Sequence, residues 1–205
     1  MAVNLPPLPE LYPVPGIRLG TTCAQIRKKD RPDLVVIECA PGTQAAAVFT
    51  QNRFCAAPVT VAREHLARAA PRALLINTGF ANAGTGSDGL DDAHRSCAAL
   101  ATGLGCAPNE VLPFSTGVIG ERLPVERLIA GLPGCLSAMS EIGWAEAARG
   151  IMTTDESTCG DRAAVAGLGE QVGEGRASHH VDGARPAARP SRAARSGSRA
   201  GARTG

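Results

Sequence analysis

The sequence has no C-x-x-C motif, no continuous apolar segment at its N-terminus and no large excess of either charge. Its seven cysteines are odd in number, which together with their spacing argues against a disulfide framework or a zinc site and favours reduced thiols. Residues 1–15 contain five prolines and match neither a signal peptide nor a membrane span. We therefore expect a cytoplasmic protein without metal or membrane association. Its first 15 residues are expected to form a proline-rich lead-in to the folded domain.

Charge is unevenly distributed along the chain. The formal net charge is +2, but residues 1–155 hold 13 Lys or Arg against 14 Asp or Glu, whereas residues 156–205 hold 8 Arg against 5 acidic residues. The nearly neutral first segment gives no indication of a nucleic-acid surface. Residues 156–205 have no aromatic residue and end in a low-complexity stretch of Arg, Ala, Gly, Ser and Pro. Because such a segment buries little apolar surface, we predict that it is disordered.

Apolar strands alternate with amphipathic helices between residues 16 and 155, which predicts a mixed α/β domain with helices layered on a sheet. Short β-branched runs predict the strands, and apolar residues at helical spacing predict the helices. Strands are expected at 16–22, 34–39, 45–50, 73–77 and from 111 onward, and helices after Val59, after Gly89, at 124–132 and at 144–149. The strands at 34–39 and 45–50 are expected to pair across a Pro-Gly turn.

The stretch VLPFSTGVIGE, residues 111–121, is the centre of the expected site. Its apolar run ends in a Ser-Thr-Gly step, so a strand would deliver a hydroxyl and a glycine amide to a turn. Glycine lets a reacting atom approach the main chain, and a fixed hydroxyl with an N–H can stabilise a tetrahedral intermediate. The simpler alternative is that Ser115 or Thr116 caps the following helix.

The loop TGFANAGTGSDG contains the pattern G-x-G-x-x-G at Gly84, Gly86 and Gly89, which raises a nucleotide-binding alternative. Two features count against it. The first glycine of a dinucleotide fingerprint directly follows its strand, whereas Gly84 lies seven residues beyond Asn77. Three aspartates near the start of the next helix would also repel a bound phosphate; they are Asp88, Asp91 and Asp92.

Other residues have simpler interpretations. Asn77 and Asn82 can bond neighbouring backbone, while the loop glycines permit left-handed turns. Cys55 has no identifiable base near it in sequence, so a buried inert thiol is the commoner interpretation. His65, on a helix without an orienting carboxylate, is expected at the surface or in packing, and Trp144 is expected in the core.

Five motifs in order resemble the ornithine acetyltransferase family, also called glutamate N-acetyltransferase or ArgJ-type. They run nearly without interruption from about residue 15 to residue 155: VFTQNRFCAAPV at 48–59, REHLA at 63–67, INTGFANAGTG at 76–86, VLPFSTGVIGE at 111–121 and GIMTTD at 150–155. The resemblance implies an α/β (α+β) layered sandwich of the ArgJ/DmpA-like type. Phe80 departs from the family pattern, in which asparagine usually occupies that position.

The resemblance also implies a reaction and its residues. The family passes acetyl from N2-acetylornithine to a threonine nucleophile and then to glutamate, in arginine biosynthesis; some members accept acetyl-CoA, and no other cofactor is implied. Thr116, through its hydroxyl, and Gly117, through its amide, correspond to the oxyanion hole. Thr153 corresponds to a substrate-contacting threonine, with Thr154 as the neighbouring candidate. The family's assembly is a heterotetramer of two alpha and two beta chains.

The family's nucleophile is the threonine freed by self-cleavage at an Ala-Thr step, and this chain has no counterpart. No lysine follows Lys29, and the threonines after Thr154 stand in unrelated contexts. We expect residues 16–155 to be an alpha-subunit domain, residues 156–205 to come from a frameshift or truncation, and the chain to be nearly inactive alone, with sheet edges and apolar surface exposed. The alternatives are a non-catalytic binding or scaffold protein and, less favoured, a nucleotide-binding module at Gly84–Gly89.

Overall fold

A computed structural model of the chain describes residues 11–27 and 29–152. This part contains four strands, four α-helices and a 3-10 helix at Pro108–Glu110. The strands are β1 (Ile17–Thr22), β2 (Leu34–Cys39), β3 (Ala73–Phe80) and β4 (Val111–Val118), and the helices are α1 (Ala57–Leu66), α2 (Gly86–Leu104), α3 (Val125–Ser137) and α4 (Trp144–Ile151). The predictions for residues 1–10, for the tail 156–205 and for Thr153 lie outside the described residues.

The strands form one sheet in the order β1-β2-β3-β4. β1 pairs with β2 and β2 with β3 in antiparallel fashion, whereas β3 and β4 are parallel. A parallel pair needs a crossover connection, and α2 provides it between β3 and β4. The carboxyl ends of β3 and β4 therefore lie side by side, at the position of the Ser-Thr-Gly step.

Both faces of the sheet are covered, because successive side chains of a strand point to opposite faces. On one face, Leu34 and Val36 of β2 lie in a core that includes buried residues of α1, α2 and α3. On the other face, Val35 and Ile37 pack in a second core with Trp144 of α4. The predicted layered α/β sandwich is confirmed, and so is the core position of Trp144, which is 3% exposed.

The strand predicted at 45–50 is wrong, because these residues have no regular secondary structure. The two hydrogen-bonding edges of β2 are already occupied by β1 and β3, so no place beside it remains for another strand. Val48 is accordingly 87% exposed. The predicted hairpin between 34–39 and 45–50 is wrong for the same reason.

β3 and α3 extend by three or more residues beyond their predicted ends. β3 continues through Phe80, because Thr78, Gly79 and Phe80 pair with the last residues of β4. α3 continues through Pro133 to Ser137, although proline removes one intrahelical hydrogen bond. Buried Cys135, in the last turn, lies in the same core as the rest of the helix. Tertiary packing thus overrides the local stop signal.

The described part leaves sheet edges and several apolar side chains exposed, as the sequence predicts. β4 is a terminal strand of the sheet and has no further strand partner among the described residues. Phe54 and Ile119 are 68% and 67% exposed, respectively. No helix within the described ranges is both long and apolar enough to cross a membrane.

Candidate active site

The Ser-Thr-Gly step forms the carboxyl end of β4, where the two parallel strands approach most closely. Thr116 pairs with Thr78, and Gly117 pairs with Gly79. Gly117 has φ +137°, and a Cβ there would lie 2.5 Å from the carbonyl oxygen of Gly79 and 2.6 Å from the nitrogen of Phe80. Only glycine fits this backbone conformation and this spacing. Gly117 therefore brings the two main chains into close contact. The Ser-Thr-Gly step itself is still paired with β3 rather than lying in a turn after the strand, and it is followed by a bend at 119–121. This strand end and the bend are together called the turn below.

Ser115 and Thr116, adjacent in sequence, have different environments. The Ser115 hydroxyl donates a hydrogen bond to Asn77 Oδ1 at 2.6 Å, and Asn77 Nδ2 donates to the carbonyl oxygen of Phe80 at 3.0 Å. The half-buried Thr116 hydroxyl has no hydrogen-bond partner among the described residues. Ser115 thus holds the strand ends together, whereas Thr116 retains a donor for another group. The alternative that either residue caps the next helix is not observed, since α3 begins at Val125 without a side-chain cap.

The glycine-rich loop after β3 is held by Asn82, which is fully buried and has φ +47°. Its Nδ2 donates to the carbonyl oxygen of Gly89 at 2.8 Å, and its Oδ1 accepts from Thr85 Oγ1 at 2.8 Å. The predicted bonds from Asn77 and Asn82 to neighbouring backbone are both confirmed. A Cβ on Gly89 would lie 2.5 Å from Asn82 Oδ1, so this glycine serves local packing. Nucleotide binding at this loop stays a prediction.

The segment after β4 is tied to α2 by an ion pair that sequence reasoning missed. Asp92 of α2 is fully buried, and its two carboxylate oxygens accept from Arg122 Nε at 3.0 Å and Nη2 at 3.2 Å. The Gly120 amide also donates to the carbonyl oxygen of Ala83 at 2.8 Å. The pKa of Arg122 is raised mainly by its hydrogen bond to Asp92. Asp92 therefore pairs with a cation rather than merely facing the helix dipole.

Phe80, the position that departs from the family pattern, makes an interaction specific to its aromatic ring. The guanidinium of Arg27 lies 5.1 Å from the ring centroid, within cation–π range. Arg27 Nη1 also donates to Glu121 Oε2 at 2.9 Å. These contacts connect the β1–β2 loop to the segments that follow β3 and β4. No local sequence signal predicts them, because the three residues are far apart in the chain.

The structure does not bring Cys55 or His65 into the candidate site. Cys55 Sγ contacts the carbonyl oxygen of Asn52 at 3.1 Å. His65 is 4% exposed, its Nδ1 lies 2.7 Å from the carbonyl oxygen of Val111, and its ring contacts that of His94. The predicted packing role of His65 is confirmed. Val111 is at the opposite end of β4 from Gly117, so His65 is separated from the turn by the length of the strand.

The three most buried thiols are chemically inert at neutral pH. Burial raises the pKa of Cys39 to about 11 and that of Cys97 and Cys135 to about 12. A thiol rather than a thiolate is a weak nucleophile. No group of three potential ligands among the His, Cys, Asp and Glu residues of the described part could hold a metal ion.

Chemically, the turn can offer two adjacent donors, the Thr116 hydroxyl and the Gly117 amide, at the exposed end of a parallel strand pair. Such an arrangement is suited to binding a developing oxyanion. The fold and this turn define a layered α/β domain with a candidate site at the carboxyl ends of its two parallel strands.

Comparison with known proteins identifies the family to which this domain belongs. The model of the ArgJ family matches residues 18–172, and the match thus extends past Asp155. The chain therefore belongs to the ArgJ family. It is 60% identical over 145 residues to the arginine biosynthesis bifunctional protein ArgJ of Methylococcus capsulatus, covering 71% of this chain and 35% of that protein. It is 56% identical over 156 residues to the protein of the same name from Psychrobacter arcticus, covering 76% and 38%.

Solved structures give the same result. Ornithine acetyltransferase from Mycobacterium tuberculosis, in complex with ornithine, matches with a TM-score of 0.68 and 37% identity, over 71% of this chain and 79% of that chain. ArgJ from Bacillus halodurans matches with a TM-score of 0.62 and 34% identity, over 70% and 75%. The chain spans little more than a third of the length of the curated relatives.

Proposed function

We propose that this chain supplies the oxyanion-stabilising part of an acetyltransferase of arginine biosynthesis. The observation that carries the proposal is the contrast at the end of β4: Ser115 is engaged by Asn77, while the neighbouring Thr116 hydroxyl has no partner among the described residues. Thr116 and Gly117 are the two donors. The names of its relatives, which include an ornithine acetyltransferase, indicate the substrate class.

The proposed reaction is acetyl transfer from N2-acetylornithine to glutamate in two covalent half-reactions. A threonine hydroxyl oxygen attacks the acetyl carbonyl carbon, and the carbonyl oxygen becomes an oxyanion bound by Thr116 and Gly117. The C–N bond then breaks, and ornithine leaves with a proton. Glutamate's amine attacks the acyl-enzyme ester, and N-acetylglutamate leaves as the threonine regains its proton. Acetyl-CoA is an alternative donor for the first half-reaction.

The described residues offer the oxyanion donors but no activated nucleophile beside them. We propose that the attacking threonine belongs to a second part of the enzyme, assembled in the family's arrangement of two alpha and two beta chains. Thr153 is proposed to contact the substrate, although it lies outside the described residues. The free cysteines of the described part fit a cytoplasmic setting.

Complementation tests the proposal. The purified chain alone, incubated with N2-acetylornithine and glutamate, should release no ornithine. Co-expression with the remaining C-terminal part of the Methylococcus capsulatus relative should restore transfer. Thr116→Ala should then reduce kcat by about 100- to 1,000-fold, the effect of losing one oxyanion donor. Transfer by the chain alone, or unchanged kcat in the complemented Thr116→Ala variant, would contradict the proposal.

A further inference from the structure

A cleft of about 340 Å³ lies between the β1–β2 loop and α3, outside the turn at Gly117. Its lining includes the cationic side chains of Arg27, Lys29 and Arg127. No carboxylate stands among the described residues that line it. A concave surface lined by one sign of charge concentrates counter-ions. The cleft is therefore the strongest candidate anion site that the acetyltransferase proposal does not use.

The loop that forms one wall is fixed by buried Asp33. The two carboxylate oxygens of Asp33 accept from the amide of Ala24 at 2.7 Å and the amide of Ile26 at 2.6 Å. Between these two residues Gln25 adopts φ +54°, a conformation that L-residues seldom take. Arg127 Nη1 donates to the carbonyl oxygen of Gln25 at 3.1 Å, which connects the loop to α3. Hydrogen bonds therefore fix the backbone on one side of the cleft, so the cleft does not depend on surface side chains alone.

The floor of the cleft depends on a small residue. Gly131 of α3 lines it, and a Cβ at this position would lie 2.5 Å from Cβ of Ala24. The loop and the helix therefore approach each other at Gly131 more closely than a side chain at this position would permit. This contact sets the separation between the walls that carry Lys29 and Arg127.

The charges around the cleft favour a dianion. Arg27 is paired with Glu121. Lys29 and Arg127 have no carboxylate partner within 4.0 Å among the described residues. Two uncompensated cations match a phosphate group, which carries about −1.5 to −2 charge at pH 7. Guanidinium and ammonium groups also bind phosphate through charge-assisted hydrogen bonds.

We propose that this cleft binds the phosphate group of a small molecule, with Lys29 and Arg127 as its principal contacts. The site is separate from the oxyanion turn, and its occupation does not require acetyl transfer. Arg27 lines the cleft and also contacts the Phe80 ring near the turn, so a bound phosphate would lie near the transferase site without being part of it. The source is either free phosphate or a phosphate ester.

Cys23 provides a local probe, because it is exposed and lines the cleft. The full chain is alkylated with iodoacetamide at low ionic strength, and the tryptic peptides 19–27 and 54–63, which contain Cys23 and Cys55, are quantified by mass spectrometry. Inorganic phosphate at ten times its dissociation constant should slow alkylation of Cys23 about tenfold by mass action. Alkylation of Cys55 should not change, and sodium chloride at equal ionic strength should not reproduce the protection.

Charge-removing variants decide the assignment. Lys29→Gln and Arg127→Gln should each abolish most of the protection, whereas Arg68→Gln, which removes the same charge from an exposed position at the end of α1, should retain it. Unchanged Cys55 reactivity shows that each variant remains folded. Adenosine 5′-monophosphate, used in parallel, identifies an ester as the preferred ligand if it protects at lower concentration than phosphate. Absence of protection by both, or equal protection in Lys29→Gln and Arg68→Gln, would overturn the proposal.

Discussion

Asp92 is fully buried in α2, and both of its carboxylate oxygens accept hydrogen bonds from the half-exposed guanidinium of Arg122. Arg122 follows β4 by four residues, so this pair fixes the segment after the candidate oxyanion turn against the crossover helix. A buried carboxylate that loses its partner is costly, because desolvation is no longer compensated. The position of the turn and the stability of the domain are therefore coupled through one ion pair.

Removing this partner should destabilise the domain. We expect Arg122→Gln to lower the free energy of unfolding, because the buried Asp92 carboxylate would lose two charge-assisted hydrogen bonds. Arg95, which lies 3.7 Å from Asp92, compensates only in part. Urea denaturation of the full chain measures the change. Arg68→Gln, with no comparable partner, should stay within about 0.5 kcal/mol of the parent, and an equal loss in both variants would contradict the role of the pair.

Gly117→Ala should be destabilising for two reasons that a control separates. Its positive φ is unfavourable for alanine, and its Cβ would meet the backbone of Gly79. Gly42→Ala carries the positive φ alone, since nothing lies within 4 Å of its added Cβ. We expect a loss of about 1 kcal/mol for Gly42→Ala and about 3 kcal/mol for Gly117→Ala in urea denaturation. Equal losses would show that the close approach of the strands is unimportant.

Ser115→Ala should mainly lower stability, whereas Thr116→Ala should mainly lower the rate of catalysis. Ser115→Ala leaves Oδ1 of buried Asn77 without its donor and should cost about 1 to 3 kcal/mol of unfolding free energy. Thr116→Ala removes a hydroxyl that has no partner among the described residues, and it should change stability by less than about 0.5 kcal/mol. The kcat of the complemented enzyme is measured at a temperature where both variants are folded. Thr116→Ala should lower it more than Ser115→Ala does. The reverse pattern would assign the oxyanion donor to Ser115.

Stability should fall in alkali because of the buried thiols. Burial raises the pKa of Cys97 from an ordinary 9.0 to about 12, so above pH 9 the unfolded chain loses this proton while the folded chain retains it. The unfolded state then binds fewer protons, and the free energy of unfolding decreases as pH rises from 9 toward 12.

Cys97→Val isolates this contribution. Between pH 8 and pH 10.5 the parent should lose about 2 kcal/mol more stability than the variant, since one group contributes about 1.4 kcal/mol for each pH unit. Comparing each protein with itself at pH 8 removes the packing effect of the substitution. An identical pH dependence in the two proteins would exclude ionisation of Cys97 as a cause.

Local patterns predicted all four strands, β3 only as far as residue 77, and the existence of every α-helix, because their apolar periodicity reflects the side that each element buries. The stretch at 45–50 was assigned wrongly because a β-favouring composition does not reveal whether an adjacent sheet edge is free. The continuation of α3 through Pro133 depends on tertiary burial, which local stop signals ignore. The apolar run before Ser-Thr-Gly predicted the strand that carries this step, whereas its oxyanion role was inferred from the family resemblance and stays a prediction.

The long-range residue contacts that hold the candidate site in place could not be predicted from local sequence patterns. Asp92 and Arg122 are brought together by the path of the chain through β4, and Arg27 meets Phe80 through the β1–β2 loop. In the sequence, the helix dipole is a sufficient explanation for Asp92 in the first turns of α2. The fold shows in addition that Asp92 is buried and therefore needs a cationic partner. The candidate donors Thr116 and Gly117 were therefore proposed from the sequence, whereas the contacts that hold their strand end became visible only in the tertiary structure.

The parallel pairing of β3 with β4 also has a consequence for the order of folding. β1 and β2 pair over a short connection, but Thr78 and Thr116 meet only after the chain has closed the long crossover through α2. Closing a longer loop costs more chain entropy before contacts compensate it. Pulse-labelling hydrogen exchange should accordingly protect the amide of Val36, which faces Gly20 of β1, before that of Thr116. An early folding intermediate in which only β1 and β2 are paired would therefore lack the strand end that carries Thr116 and Gly117.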